Sequence, residues 1–309
     1  MNFVLSIRGG GIRGIIPCCC LMKLEEQLGG LTRDHIQYCA GTSTGALLTA
    51  GVAAGIPASQ LLDVYTQRSK EIFTPTGIIA EGKRALEGYM YDPHNLQKVL
   101  VSVLGAAADW VINQSPLRIM ISATAINGHN WFFVQDQPTN AGTTGTVKLV
   151  DAAVASACAP TYFNYWTIDN VAGQTISFFD GGTGGTANPA YQACVEAFEY
   201  NSFQPAETKV VSLGTGFFPA SSNPPSGIIG TIGWATGTLV DSSEDWVDGA
   251  VERQWPGVLQ TFNPQLPSDI GEDDLSAIDT LVQIGQALAA TMDWTKILSA
   301  GGQMGAAGH

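Results

Sequence analysis

Ile36-Gln37-Tyr38-Cys39-Ala40-Gly41-Thr42-Ser43-Thr44-Gly45-Ala46-Leu47-Leu48 is the stretch on which the fold turns. Ile36–Cys39 reads as a short buried strand, and Gly45–Ala54 as a helix stopped by Gly55. Between them Ser43 stands inside Gly41-Thr42-Ser43-Thr44-Gly45. A serine on so sharp a strand-to-helix turn needs glycine on both sides, because side chains there would collide with neighbouring backbone. The turn lifts the hydroxyl above the sheet and sets the Thr44 amide beside any oxyanion that develops there. The competing reading is a chance glycine-rich turn. The strand before it and the helix after it argue against that.

Upstream, the apolar strand Phe3–Ile7 ends at Gly9-Gly10-Gly11-Ile12-Arg13-Gly14, and a helix follows over Pro17–Leu28. The glycine run formally matches G-x-G-x-x-G, the turn that holds a dinucleotide. Yet the second strand–helix unit carries the serine turn, and Asp34 precedes that strand instead of ending it. The other use of such a loop is an oxyanion hole. Amides of Gly9, Gly10 and Gly11 can turn towards one oxygen, and preorganised donors of that kind contribute several kcal/mol to a transition state. Arg13 either pins the loop or meets an anionic head group.

Downstream, Asp180-Gly181-Gly182 follows a strand at Thr175–Phe179. Alone, an aspartate before glycines is more often a turn than a catalyst. The histidines give it weight. His35, His94 and His129 all precede Asp180, and His309 is the last residue of a Gly/Ala-rich end. The order Ser…Asp…His of a hydrolase triad is therefore not met. Asp180 is left to take the serine proton directly, which requires burial to raise its proton affinity above the ordinary carboxyl value of about 3.9.

Strands alternating with helices (Asp92–Leu104, Leu149–Ala157, Asn188–Tyr200) predict an α/β fold with a mostly parallel sheet. The expected organisation is one domain over 1–299 and a flexible tail over 300–309. Thr74–Tyr91, with Gly77, Gly82 and Gly88 and no clear periodicity, reads as a lid.

Composition sets the remaining bounds. Residues 1–150 hold eleven Lys/Arg against ten Asp/Glu, and residues 151–309 three against seventeen, so the net charge of −13 sits in the second half. That half repels phosphate backbones, and nucleic acid is excluded as a partner. The six cysteines follow no disulfide or zinc spacing and are expected to be buried thiols, with no metal and no cofactor. No apolar run approaches the roughly 18 residues that cross a bilayer, and no leader pattern opens the chain, so the expected location is cytoplasmic. The acidic groups Glu244-Asp245 and Glu272-Asp273-Asp274 read as helix N-terminal charges, and Trp246, Trp255 and Trp294 as core.

Taken in order, the glycine run Gly9–Gly14, the serine turn Gly41–Gly45 and Asp180-Gly181-Gly182 resemble the patatin-like phospholipase family. Ala155–Phe163 and Val210–Gly216 are similar to further family segments, and Arg8 departs from the small or acidic residue common there. The resemblance implies a three-layer α/β/α fold and a Ser43–Asp180 dyad. It also implies an oxyanion hole of Gly9, Gly10, Gly11 and Thr44, with Arg13, Gly14, Gly41, Gly45, Gly181 and Gly182 as supports. The implied activity is cofactor-free cleavage of acyl esters in lipids, at a membrane or micelle surface. Two alternatives stay open: a lipid-binding module gated by a nucleotide or partner, and an acyltransferase using the same residues.

Overall fold

Side chains at successive strand positions point to opposite faces of a sheet, and here both faces are apolar. Val4, Tyr38, Ala40, Met120 and Val210 enter one core, while Leu5, Ile7, Cys39, Ile119, Ile121 and Val211 enter the other. A sheet buried on both sides must be covered twice, which gives three layers. The computed structural model describes residues 1–75, 89–139, 143–219 and 242–299. The centre of the expected lid, 76–88, and the tail 300–309 lie outside the described residues.

Ten strands stand among the described residues: β1 (Asn2–Ile7), β2 (Tyr38–Thr42), β3 (Tyr89–Tyr91), β4 (Arg118–Ala125), β5 (Asn130–Val134), β6 (Thr161–Phe163), β7 (Trp166–Val171), β8 (Gln174–Asp180), β9 (Thr208–Leu213) and β10 (Leu259–Phe262). The main sheet runs β10-β9-β1-β2-β4-β8-β7, parallel from β10 to β4 and antiparallel beyond, with β5 antiparallel on β4. β3 and β6 form a separate parallel pair. The patterning at Trp166–Val171 is masked by Asp169-Asn170, so this strand escapes a reading of the sequence. It pairs with β8 through a tight turn in which Ala172 and Gly173 both have positive φ (50° and 81°).

The helices α1 (Ile15–Leu28), α2 (Thr44–Ala54) and α3 (Ala58–Ile72) cover the larger core, together with Pro93–Leu104, Leu149–Ala157 and Ile278–Thr291. Asp92 caps its helix as the sequence implies, accepting from the His94 amide at 2.9 Å. α1 is buried almost all round because Ile278–Thr291 lies across its outer side, so close that a Cβ on Gly285 would stand 2.8 Å from Cys19 Sγ. That explains three consecutive cysteines with no polar face; all six are free and buried. The smaller core is covered by Ala190–Val195 and by residues 242–254. The helix expected to run evenly to Tyr200 changes to a π turn over Glu196–Tyr200. No helix among the described residues is long and apolar enough to cross a membrane.

One sequence expectation is corrected by this packing and another is extended. Trp294 is core, but Trp246 is exposed, tilted against Tyr191 with ring centres 5.9 Å apart. Glu244 stands in the first described turn of the helical residues 242–254, as expected, but it also has a partner. Arg8, 4% exposed at the end of β1, bridges Glu244 Oε2 (3.1 Å) and Asp248 Oδ2 (2.7 Å) and donates to Ser212 Oγ (3.3 Å). Arg8 thereby ties the first strand to the helical residues 242–254. Arg8→Ala leaves two carboxylates facing each other without their cation. Because both are partly solvated, the loss expected in urea unfolding is about 2–3 kcal/mol, at or below the low end for a broken buried pair. Arg8→Lys, which cannot fork between them, recovers only part of it.

Candidate active site

Two strand ends meet on one edge of β4. β2 runs parallel to β4 and stops with Thr42 opposite Ser122; β8 runs antiparallel and stops with Asp180 opposite Ala123. β5 pairs with Met120–Thr124 and so holds the other edge. Neighbouring residues of one strand, about 3.3 Å apart, thus carry the ends that bear Ser43 and Asp180. Hydroxyls close the junction. Thr42 Oγ1 lies 2.6 Å from Ser122 Oγ and donates to the Thr186 carbonyl at 2.5 Å, while Thr186 Oγ1 donates to the Gly181 carbonyl at 2.7 Å.

Ser43 has φ 57° and ψ −124°, a conformation that costs a residue with a side chain on the order of 1–3 kcal/mol. Its surroundings enforce it. Its amide donates to Ser156 Oγ at 2.9 Å, and its carbonyl accepts from Ala46 and Leu47 at 2.8 and 3.2 Å. A Cβ on Gly45 would stand 2.1 Å from the Ile7 carbonyl oxygen, and one on Gly41 2.1 Å from the Gly45 oxygen. The glycines flanking the serine are therefore required by close approach of backbone to backbone.

Asp180 is 5% exposed and faces Ser43. Its carboxylate accepts from the Gly182 amide at 2.7 Å. Burial, reinforced by the negative charge of Glu272, pushes the Asp180 carboxyl up to about 7, against the opposing influence of the Ser43 hydroxyl and the Gly182 amide. Among the described residues no histidine competes for the serine. His35 bonds the Gly29 carbonyl, His94 bonds Asp92 and packs edge-on against Trp166, and His129 is exposed in a loop.

In the glycine loop Thr215 Oγ1 donates to the Gly9 carbonyl at 2.5 Å and Arg13 Nε to the Gly10 carbonyl at 3.2 Å. In a trans peptide the N–H points opposite to the preceding C=O. Tying back these two carbonyls turns the Gly10 and Gly11 amides the other way. Gly9 departs from expectation: its own amide donates to the Ala187 carbonyl at 2.9 Å, so it supports the loop and is no free donor. Arg13 pins the loop. Thr44 begins α2, where the first amides lack helical acceptors, and its hydroxyl bonds Tyr65 OH at 2.5 Å.

Gly11, Ser43 and Thr44 line a cleft of about 520 Å³, open mouth included, whose wall is otherwise largely apolar: Leu47, Val64, Ile72, Phe73, Leu96 and Phe163. A second hollow of about 370 Å³ shares Leu47, Val64 and Leu96 with it and continues among Leu61, Val99 and Leu100. Ser156, Tyr65 and Glu272 belong to this neighbourhood, and the sequence reading missed all three. Ser156 lies within the Ala155–Phe163 segment, which was noticed only for its resemblance. Glu272 carries no local signal at all.

The chain matches the family model described as Patatin-like phospholipase over residues 5–193. It is 30% identical over 203 residues to a cGAMP-activated phospholipase of Escherichia coli, 27% over 255 residues to one of Vibrio cholerae, and 31% over 232 residues to Patatin-17 of Solanum cardiophyllum. These alignments take in 63%, 74% and 69% of this chain, and 55%, 70% and 57% of those proteins. The chain thus spans little more than half the length of the first and third.

A carboxyl held at about 7 against an ordinary 3.8 also loads the fold. As pH rises, the unfolded chain releases this proton before the folded one does, so Asp180 takes away stability between about pH 4 and 7. Full linkage over that interval is about 4 kcal/mol. Asp180→Asn does not titrate. Its stability advantage over the wild type in urea is expected to widen by about 2–4 kcal/mol from pH 4 to pH 8.

Proposed function

The chain belongs to the patatin-like phospholipase family, and on that premise we propose that it is a lipid acyl hydrolase working through Ser43 and Asp180. The observation that carries this reading is a strained serine set by adjacent strand ends beside a buried carboxylate of raised proton affinity, next to an apolar cleft. Ser43 Oγ attacks the ester carbonyl carbon while its proton passes to Asp180. The carbonyl oxygen becomes an oxyanion held by the amides of Gly10, Gly11 and Thr44. The tetrahedral species collapses, Asp180 returns the proton to the leaving alcohol, and an acyl-serine remains. Water enters and Asp180 takes its proton as the hydroxide adds to the acyl carbonyl carbon. The second tetrahedral species then breaks its bond to Ser43 Oγ, Asp180 returns the proton to that oxygen, and the fatty acid leaves. No cofactor is needed.

A base at about 7 is well matched to neutral pH, being about half ionised there yet strong enough to draw a proton from a serine. The two apolar hollows suit the hydrocarbon part of an acyl chain, and together with the family they support a lipid ester as substrate. Residues 1–299 are read as one catalytic unit, since Arg8 binds residues 242–254 and Glu272 borders the cleft. The names of the Escherichia coli and Vibrio cholerae relatives favour a second, compatible reading, in which a cyclic dinucleotide such as cGAMP switches the activity on.

The deciding experiment is hydrolysis of a nitrophenyl ester and a phospholipid panel, with and without cGAMP. Ser43→Ala is expected to abolish turnover and fluorophosphonate labelling while the fold persists. Asp180→Asn should lower kcat at least about 10²-fold, the lower end for loss of a general base. The wild-type rate should fall on the acid side with a midpoint near 7, because the base must be ionised. Near-normal kcat in Asp180→Asn with an unchanged acid limb assigns the proton to another group.

A further inference from the structure

We propose that Glu272 is a positioning residue of this site, fixing the glycine loop through its main chain and holding a negative charge beside the base through its side chain. The proposal rests on the reading of Ser43 and Asp180 given above. It reaches a part of the chain beyond residue 193, where the family match ends.

Glu272 sits in a short strap anchored at three points. Its carbonyl accepts from the Ile12 amide at 2.8 Å and presses on Gly11, where a Cβ would stand 2.3 Å from that oxygen. Asp273 Oδ2 accepts from Tyr91 OH at 2.6 Å, which ties the strap to β3. Asp274 Oδ1 caps the following turn through the Ser276 amide at 3.0 Å. The strap therefore holds the peptide just after the amides of Gly10 and Gly11.

The side chain has separate work. Its carboxylate lies 3.9 Å from the Arg13 guanidinium, whose Nε holds the Gly10 carbonyl, and it lines the same cleft as Ser43. A half-exposed ion pair of that length contributes little to stability, so the pairing alone gives no reason for a carboxylate here. The field on Asp180 does. Besides Glu272, the titratable group that faces Asp180 is Cys158, a thiol kept neutral by burial. Around Glu272 stand Arg13, Tyr162, Asp269 and Asp273. Glu272 is thus the acid that makes ionisation of Asp180 harder and its affinity for the serine proton higher.

The test is Glu272→Gln, which keeps the main-chain clamp and removes only the charge. Without that charge the Asp180 carboxylate is favoured and stays ionised to lower pH. The acid limb of kcat/KM should move down by about 0.5–1 pH unit, at the small end of what a neighbouring charge does, with KM for a neutral short-chain ester unchanged. The ¹³C-carboxyl titration of Asp180, assigned by its loss in Asp180→Asn, should move the same way without reference to turnover. Glu272→Asp should restore much of the wild-type midpoint. A folded Glu272→Gln protein with the wild-type limb and titration overturns the role of Glu272. The serine reading survives that result if the wild type hydrolyses ester and Ser43→Ala does not. Wild-type protein that hydrolyses no ester overturns both.

Discussion

The structure depends on one edge of β4 being shared by two strands that arrive from opposite directions. β2 gives up its pairing after Ser122, and β8 takes over at Ala123. Strand register is set in whole residues, so the two ends cannot drift relative to each other without unpairing one of them. The hydroxyl chain of Thr42, Ser122 and Thr186 crosses this seam and satisfies polar atoms that are shut off from water. A serine and a carboxylate 137 residues apart in sequence thereby meet on a rigid sheet, and neither relies on a loop for its position.

That junction carries two unfavourable terms that the rest of the fold offsets. Ser43 is held at a positive φ, and Asp180 is buried with no cation beside it among the described residues. Both are tolerated because every surrounding element is fixed from outside: the turn by Ser156 and the Ile7 backbone, the glycine loop by Thr215, Arg13 and the Glu272 carbonyl. The last of these lies in the C-terminal third, as do the partners of Arg8. This late part of the chain therefore bears on the geometry of the earliest loop.

Much of this was legible in the sequence because the decisive constraints are local. Gly41 and Gly45 betray a turn that no side chain can enter, and the apolar run Phe3–Ile7 ending at glycines betrays a buried strand. Asp92-Pro93 and Leu149–Ala157 give helices nearly to the residue. The failures are non-local. Gly9 has the same chemistry as Gly10, and only the approach of Ala187 shows that its amide is occupied. Glu272 looks like a solvated helix end until Ile12 arrives from more than 200 residues away, and Glu244, correctly placed at a helix start, gives no sign of its pairing with Arg8. The antiparallel pairing of β8 on β4, which makes the seam, leaves no periodic trace.

The absence of histidine follows from the same geometry. A triad places an imidazole between serine and acid, so the acid can stay ionised at a low proton affinity and act at a distance. When the carboxylate is to act on the hydroxyl directly, as proposed for Asp180, it must itself be basic enough to take the proton. In water a carboxylate is not. Desolvation is the lever available inside a protein, and here burial is the largest influence on Asp180, with a like charge from Glu272 added to it. Two devices that a stability argument would count as defects, an uncompensated buried carboxylate and a second acid near it, become on this reading what lets a two-residue site do the work of three.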